Sequence, residues 1–360
     1  MLKKLKDECY IVMGQSPSST NYNQDKNGIP FMQGRKTFGD KYPTIDTWTT
    51  KLTKIAPKGS VLMSVRAPVG DVNIAPCDLC IGRGLASIKM KNGNNQYLYY
   101  LLKNNSNLLK NKSTGTIFES INKDDLENLV LNFSDENNQI KISKILSDID
   151  KKIELNNEIN NNLYEISKQL LLKYLNENSS FKEISISQLL NVFTGKKNAN
   201  ETTLNGKYKF FSCSPESLLS DTYLYDGPAI IVAGNGAYTG RTRFYDGKFE
   251  LYQRTYGLTL KDGINKNNVY GLYVFMKTFF EPDKMGGTHG SAIPYIVLSD
   301  LTDYKLKYNK SEFDKFSDLV SSNIKMIQEN EKLNEELFQL RDTLLPKLMN
   351  GEIDLDNVGI

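Results

Sequence analysis

Between residues 140 and 175 apolar side chains recur in a heptad frame: Ile142, Ile145, Ile149, Ile159, Leu163, Ile166 and Leu170. No Pro or Gly interrupts residues 137–178, so the pattern predicts one long helix with a continuous apolar stripe. A second stretch keeps the same frame with Phe316, Leu319, Met326, Leu333, Leu337, Leu340 and Leu344. It runs into Leu345-Pro346, where proline stops or kinks a helix, and Gly351 follows as a terminator. A stripe sustained over about five heptads predicts that the two helices pair with each other.

The two stretches are copies. Residues 141–173 and 315–347 align without a gap at an offset of 174, and eleven of the 33 positions are identical. Average residue usage gives roughly two or three matches by chance, and a period this long is not a solenoid unit. One frame position is polar in both copies, at Asn156 and Asn330. A buried Asn at a coiled-coil core site costs stability and fixes register. In an antiparallel pair about a pseudo-two-fold axis these two residues are expected to meet.

The blocks before each helix carry short β-rich runs between Gly, Asn, Asp and Pro, such as residues 59–65, 229–233 and 251–260. That reads as α+β. The blocks also match each other loosely. Gly14 and Gly195 each close a helix-like opening segment. Phe31-Met32 corresponds to Phe210-Phe211, residues 58–65 to 226–233, and Gly70 to Gly240. Further on, Gly115, Asp125, Leu126 and Leu131 correspond to Gly290, Asp300, Leu301 and Leu306. The expected architecture is an α+β chain with a pseudo-two-fold internal repeat. Two similar domains, 1–136 and 179–311, are separated by two long antiparallel coiled-coil helices, 137–178 and 312–360. A helix of this kind, about 36 residues long, spans about 54 Å, which exceeds one turn of B-DNA at about 34 Å. A reader at each end of such a spacer suits two half-sites on one duplex.

Charge supports this only through its distribution. The net charge is +3, but residues 1–136 carry 18 basic and 13 acidic side chains and residues 179–311 carry 16 and 12. Residues 312–360 carry 5 and 11. The basic blocks suit a polyanion or are ordinary solvated surfaces. Glu329, Glu331, Glu335 and Glu336 on the second helix form a solvated face or a docking face for a basic partner. No run of 18 apolar residues exists, so no membrane span is expected. Four cysteines and an opening segment without an apolar signal core lead to the expectation of a reducing cytoplasm.

The layout resembles the specificity subunit of type I restriction–modification systems, over nearly the whole chain. The resemblance rests on the order of parts, the duplication, and a Gly-strand-loop-Gly run in each block, Gly59 to Gly70 and Gly227 to Gly240. A Ser/Thr/Gly loop then precedes an Asp-Leu step, at 113–116 before Asp125-Leu126 and at 287–291 before Asp300-Leu301. The resemblance implies two target-recognition domains, a bipartite double-stranded DNA target, and two methyltransferase subunits docked on the helical spacers. Restriction subunits often join them. It further implies that this chain is not an enzyme and binds no cofactor, the S-adenosylmethionine lying on the partner.

The residues on their own leave two alternatives open: a coiled-coil scaffold with protein-binding ends, and a stand-alone DNA-modifying enzyme. The second lacks its motifs. There is no Asp/Asn-Pro-Pro-aromatic motif to hold a flipped base and no phosphate loop. Residues 234–240 read as a turn between strands, not as a cofactor loop. Cys77 and Cys80 have zinc-ligand spacing but no second pair, so buried thiols and no metal are expected. His289, the only His, reads as a loop residue.

Base readout needs Arg, Asn, Gln or Lys on loops, since Arg pairs with guanine and Asn or Gln with adenine. Phosphate contacts take Lys, Arg and hydroxyls. In the first block the candidates are Gln33, Arg35, Lys36, Arg66 and Arg83. In the second they are Lys196, Lys197, Asn235, Tyr238, Arg241, Arg243 and Arg254. Each could equally be a surface charge or a brace, and Arg66 and Arg83 in particular could be braces of the domain.

Overall fold

The computed structural model describes residues 1–106, 120–177, 180–280 and 294–355. The loops 113–116 and 287–291, with Gly115, His289 and Gly290, lie outside the described residues. The long helices run Glu136–Glu177 and Lys310–Met349. Packing divides the chain into Met1–Ile153 with Glu336–Ile360, and Glu154–Glu335. The division cuts both long helices, so each unit owns one stretch of each.

In the first unit an antiparallel sheet has the order Cys9–Met13, Leu85–Met90, Val61–Ser64, Val72–Ile74. The edge strand alternates buried and exposed along Cys9–Met13, as a half-covered strand should. A five-stranded sheet joins Tyr22–Asn23, Trp48–Thr49, Ile29–Met32, Leu79–Ile81 and Ile55–Ala56. Within it Ile29–Met32 and Leu79–Ile81 run parallel. The helix Asn95–Asn104 starts where the Asn94 side chain accepts from the Tyr97 N–H, satisfying one orphan donor of the first turn. It buries Tyr97, Tyr99 and Tyr100 in a core that also takes Ile142 and Leu146 from one long helix and Leu345 and Leu348 from the other.

The second unit repeats the plan. The order Leu190–Thr194, Thr255–Leu260, Tyr225–Ala233, Thr242–Leu251 reproduces the first sheet. The strand Tyr208–Phe211 pairs parallel with Thr242–Leu251, as Ile29–Met32 does with Leu79–Ile81. Here the strands are longer and everything merges into one six-stranded sheet, closed at its edge by Leu218–Ser220. The helix Asn268–Phe279 is apolar nearly all round and buried, and Phe313, Phe316, Leu171 and Tyr174 complete the core.

Two expectations need correction. Gly14 and Gly195 do not close helices; each follows a strand, Cys9–Met13 and Leu190–Thr194. Glycine is required there because a Cβ would lie 2.1 Å from the Gly82 carbonyl oxygen in one case and 1.9 Å from that of Leu251 in the other. The heptad frame is also half displaced. The row Ile142, Ile149, Asn156, Leu163, Leu170 turns inward, but Ile159 and Ile166 are exposed, as are Leu319, Met326, Leu333 and Leu340 in the second copy. The other inward row is Leu146, Ile153, Asn160, Ser167 and Tyr174, matched by Val320, Ile327, Asn334, Arg341 and Leu348. Its polar members hide it from an apolar-periodicity search. In the second unit they bond across an antiparallel pair. Asn156 Nδ2 donates to Asn334 Oδ1 at 2.8 Å, Asn330 Nδ2 to Asn160 Oδ1 at 2.8 Å, and Asn323 Nδ2 to Ser167 Oγ at 3.2 Å. Asn156 and Asn330 thus each meet the asparagine one turn from the other.

Candidate nucleic-acid interface

Parallel pairing decides where the first unit's candidates emerge. Phe31 faces Cys80 and Met32 faces Ile81, so both strands leave the sheet at the same end. One continues into Gln33-Gly34-Arg35-Lys36, the other into Gly82-Arg83-Gly84. Ser16 Oγ ties the two exits, donating to Gln33 Oε1 at 2.8 Å and accepting the Arg83 N–H at 3.1 Å. Gly84 and Val65 then join the loop 65–71, through Val65 N–H to Gly84 O at 2.9 Å. That loop carries Arg66, and its Asp71 takes an ion pair from Arg35. All five first-block candidates therefore sit on three connected loops. Sequence reasoning missed Ser16 and Asp71, whose roles depend on long-range pairing.

The second unit closes its loops with the same bonds, which match Val65 to Gly234 and Ser64 to Ala233, one residue away from the correspondence of 58–65 with 226–233. Gly234 N–H reaches Arg254 O at 2.9 Å where Val65 reaches Gly84. Ile296 N–H bonds Gly234 O where Ile121 bonds Val65, and Gly240 N–H bonds Ala233 O where Gly70 bonds Ser64. The isolated bridges Asn235–Tyr295 and Arg66–Ser120 coincide in this scheme. Arg66 and Asn235 are therefore equivalent positions filled by different side chains. Lys197 joins the cluster through the Gln253 N–H, which donates to its carbonyl at 2.9 Å.

The sequence matches the type I restriction modification DNA specificity domain twice, over residues 1–165 and 178–340. The chain belongs to the type I restriction–modification DNA specificity family. It is 39% identical over 163 residues to the putative type I restriction enzyme MjaX specificity subunit of Methanocaldococcus jannaschii, a match covering 45% of this chain and 38% of that protein. The chain so spans well under half the length of that relative. It is 25% identical to the MjaIX specificity subunit of the same organism, across 99% of this chain and 94% of the other. In fold it is similar to the crystal structure of a type I restriction–modification S subunit from M. genitalium, with a TM-score of 0.65 and 19% identity, covering 97% and 95% of the two chains.

Within this type I specificity chain the twelve candidates separate by what they touch. Arg66, Arg83 and Arg254 are exposed and their guanidinium groups meet no partner among the described residues; Lys36 and Lys196 are likewise exposed and unpaired there. Gln33 is exposed and held by Ser16, and Asn235 is half-buried at its bridge. Arg241 lies over the exposed Tyr238 ring at 5.4 Å, which presents a cation and an aromatic face together. Three others are engaged by groups of their own unit. Lys197 Nζ donates to Thr222 Oγ1 at 2.6 Å and Ser220 Oγ at 3.1 Å, beside buried Glu250. Arg243 donates to the Ser214 carbonyl and covers Phe211; burial, and then the neighbouring Arg241 charge, lower its pKa from the ordinary value. Arg35 is engaged by Asp71. These three brace the loops.

Other sequence candidates resolve more simply. Residues 234–240 are the turn between strands Tyr225–Ala233 and Thr242–Leu251. Cys80 is buried on a strand with its Sγ 3.5 Å from Thr53 Oγ1, and Cys77 is half-buried against the small core of Met32, Leu62, Leu79 and Ile81. Glu335 on the acidic helix is paired with Lys209 of its own unit. No helix among the described residues is long and apolar enough to cross a membrane.

Proposed function

We propose that the chain is the DNA sequence-specificity subunit of a type I restriction–modification complex in the cytoplasm. Each domain reads one half of a bipartite duplex target, and the long helices dock two methyltransferase subunits, with restriction subunits where the system has them. The chain itself is non-catalytic and holds no cofactor; S-adenosylmethionine belongs to the methyltransferase. The observation that carries this reading is the pair of equivalent loop clusters. One hydrogen-bond scaffold, used twice, presents Arg66 in one domain and Asn235 in the other. Different groups on the same frame are what two different half-sites need. Docking is supported by the exposed apolar row Ile159, Ile166, Leu319, Met326 and Leu333 in the second unit, since a row of this kind on a helix suits partner helices.

The test is reconstitution with the methyltransferase subunits, followed by sequencing of methylated DNA. A bipartite motif is expected. Methylation without sequence preference, or no specific DNA binding with or without the partner, rejects the reading in favour of a protein-binding scaffold. Arg66→Ala and Asn235→Ala should each relax one half-site only and cost about 1–3 kcal/mol of binding. Lys36→Ala and Lys196→Ala should weaken binding evenly across sequences and lower the salt slope by about 1.

A further inference from the structure

We propose that Arg341, far from the DNA-reading loops in sequence, positions the first domain's loop 33–47 and thereby sets discrimination at the first half-site. The proposal rests on the DNA-reading function above.

Arg341 sits on the second long helix with its side chain 5% exposed. Its Nη1 donates to two carboxylates. One is Asp150 Oδ1 on the first long helix at 3.0 Å; the other is Asp40 Oδ2 at 3.1 Å, in the loop that carries Gln33, Arg35 and Lys36. The same stretch of loop is gripped again around that contact. Tyr99 Oη donates to the Asp40 carbonyl at 3.0 Å, and Lys41, itself buried, lies 3.4 Å from Asp150. Tyr100 Oη donates to the other Asp150 oxygen. At its near end the loop is tied by Arg35 to Asp71. The loop is therefore held near its start by a recognition-loop carboxylate and at its middle by the helix pair.

This network is absent from the inherited plan of the repeat. The offset of 174 holds through the flanking helix, since Lys103 bonds Tyr99 Oη as Lys277 bonds Tyr273 Oη. Carried through that offset, Arg341, Asp150 and Tyr100 correspond to Ser167, Ile324 and Val274. In the second unit Ser167 accepts from Asn323 and donates to the Leu163 carbonyl, while Ile324 and Val274 are buried in the core. An uncharged solution to the same packing problem, one hydroxyl with two apolar side chains, thus exists in this chain. Burying an ion network where uncharged side chains suffice gains little stability. What it adds is a fixed geometry for the loop that carries Asp40.

Arg341→Met and Asp40→Ala are tested in the full complex with the methyltransferase subunits. The readout is the methylation rate on duplexes bearing single-base changes in one half-site or the other. Asp40 is 53% exposed at its side chain, so Asp40→Ala serves even where Arg341→Met folds poorly. Discrimination at the first half-site is expected to fall roughly tenfold for Arg341→Met and severalfold for Asp40→Ala, with the second half-site unchanged. Arg341→Lys should restore part of it. A loss of stability in the first unit, which holds the whole network, would also lower the first half-site but would lower the melting temperature with it, so the comparison uses variants that melt with the wild type. Wild-type discrimination in folded Asp40→Ala, or an equal loss at both half-sites, overturns the proposal. Wild-type complex that ignores both half-sites instead rejects the DNA-reading function itself.

Discussion

Alanine at Gly195 is expected to destabilise the second domain by about 3 kcal/mol or more and to erase recognition of its half-site. The added Cβ would lie 1.9 Å from the Leu251 oxygen, 2.3 Å from the Leu251 carbonyl carbon and 2.7 Å from the Tyr252 oxygen. All three are backbone atoms, so no rotamer change relieves the clash. The strand Leu190–Thr194 must then part from the turn at Tyr252–Arg254. That turn supplies Arg254 and, through the Gln253 N–H, holds Lys197. Gly14→Ala should do the same to the first domain, where the nearest atom is the Gly82 oxygen at 2.1 Å and the damaged turn carries Arg83. Gly59→Ala provides the control: its φ is +79° but nothing lies within 4 Å of the new carbon, so only the conformational cost of about 1–2 kcal/mol applies. Thermal melts and methylated-motif sequencing of the three variants check this. A Gly195→Ala chain that melts with the wild type and keeps both half-sites would show that the approach is not obligatory.

The contrast between Gly195 and its misreading as a helix terminator shows where legibility in the sequence stopped. Local signals carried far. The duplication, the long helices, the Gly70–Gly240 correspondence and half of the inward row at Ile142, Ile149, Leu163 and Leu170 all follow from residue type and spacing. What depends on distant partners did not. Leu146, Ile153, Asn160, Ser167 and Tyr174 form a seam in which Ser167 and Asn160 bond side chains 156 and 170 positions away, so hydrophobic periodicity chose exposed Ile159 and Ile166 instead. Among the candidate readers, Arg and Lys look alike in sequence whether they face solvent or a buried acceptor. Lys197 and Arg243 became braces because Thr222, Ser220 and Ser214 fold over them, while Lys196, two residues earlier than Asn198, stays outside. The parallel strand pairs that gather Gln33 with Arg83 leave no local trace at all.

The asparagine seam of the second unit reverses the sign of an intuitive stabilisation. Asn156 and Asn330 occupy the same frame position, and replacing both by Leu would remove two polar groups from a core and raise the melting temperature if they paired with each other. They do not. Asn156 bonds Asn334 and Asn330 bonds Asn160, while the Asn334 amide also donates to Asn157 Oδ1 at 2.9 Å. The double change Asn156→Leu with Asn330→Leu therefore strips partners from Asn334, which is 5% exposed, and from Asn160. Leaving such groups unsatisfied costs about 1–3 kcal/mol each, so the melting temperature should fall by several degrees. Adding Asn160→Leu and Asn334→Leu removes both partners as well, and melting should then rise above the wild type, because matched apolar replacement of a polar pair is neutral or favourable. The gain has a cost in specificity. With the cross-bonds gone, an apolar seam tolerates heptad slips and foreign partners, and the four-Leu chain should form mixed oligomers detectable by native mass spectrometry. A double variant that melts higher than the wild type would mean that the cross-bonds contribute nothing and that register is held elsewhere in the helix pair.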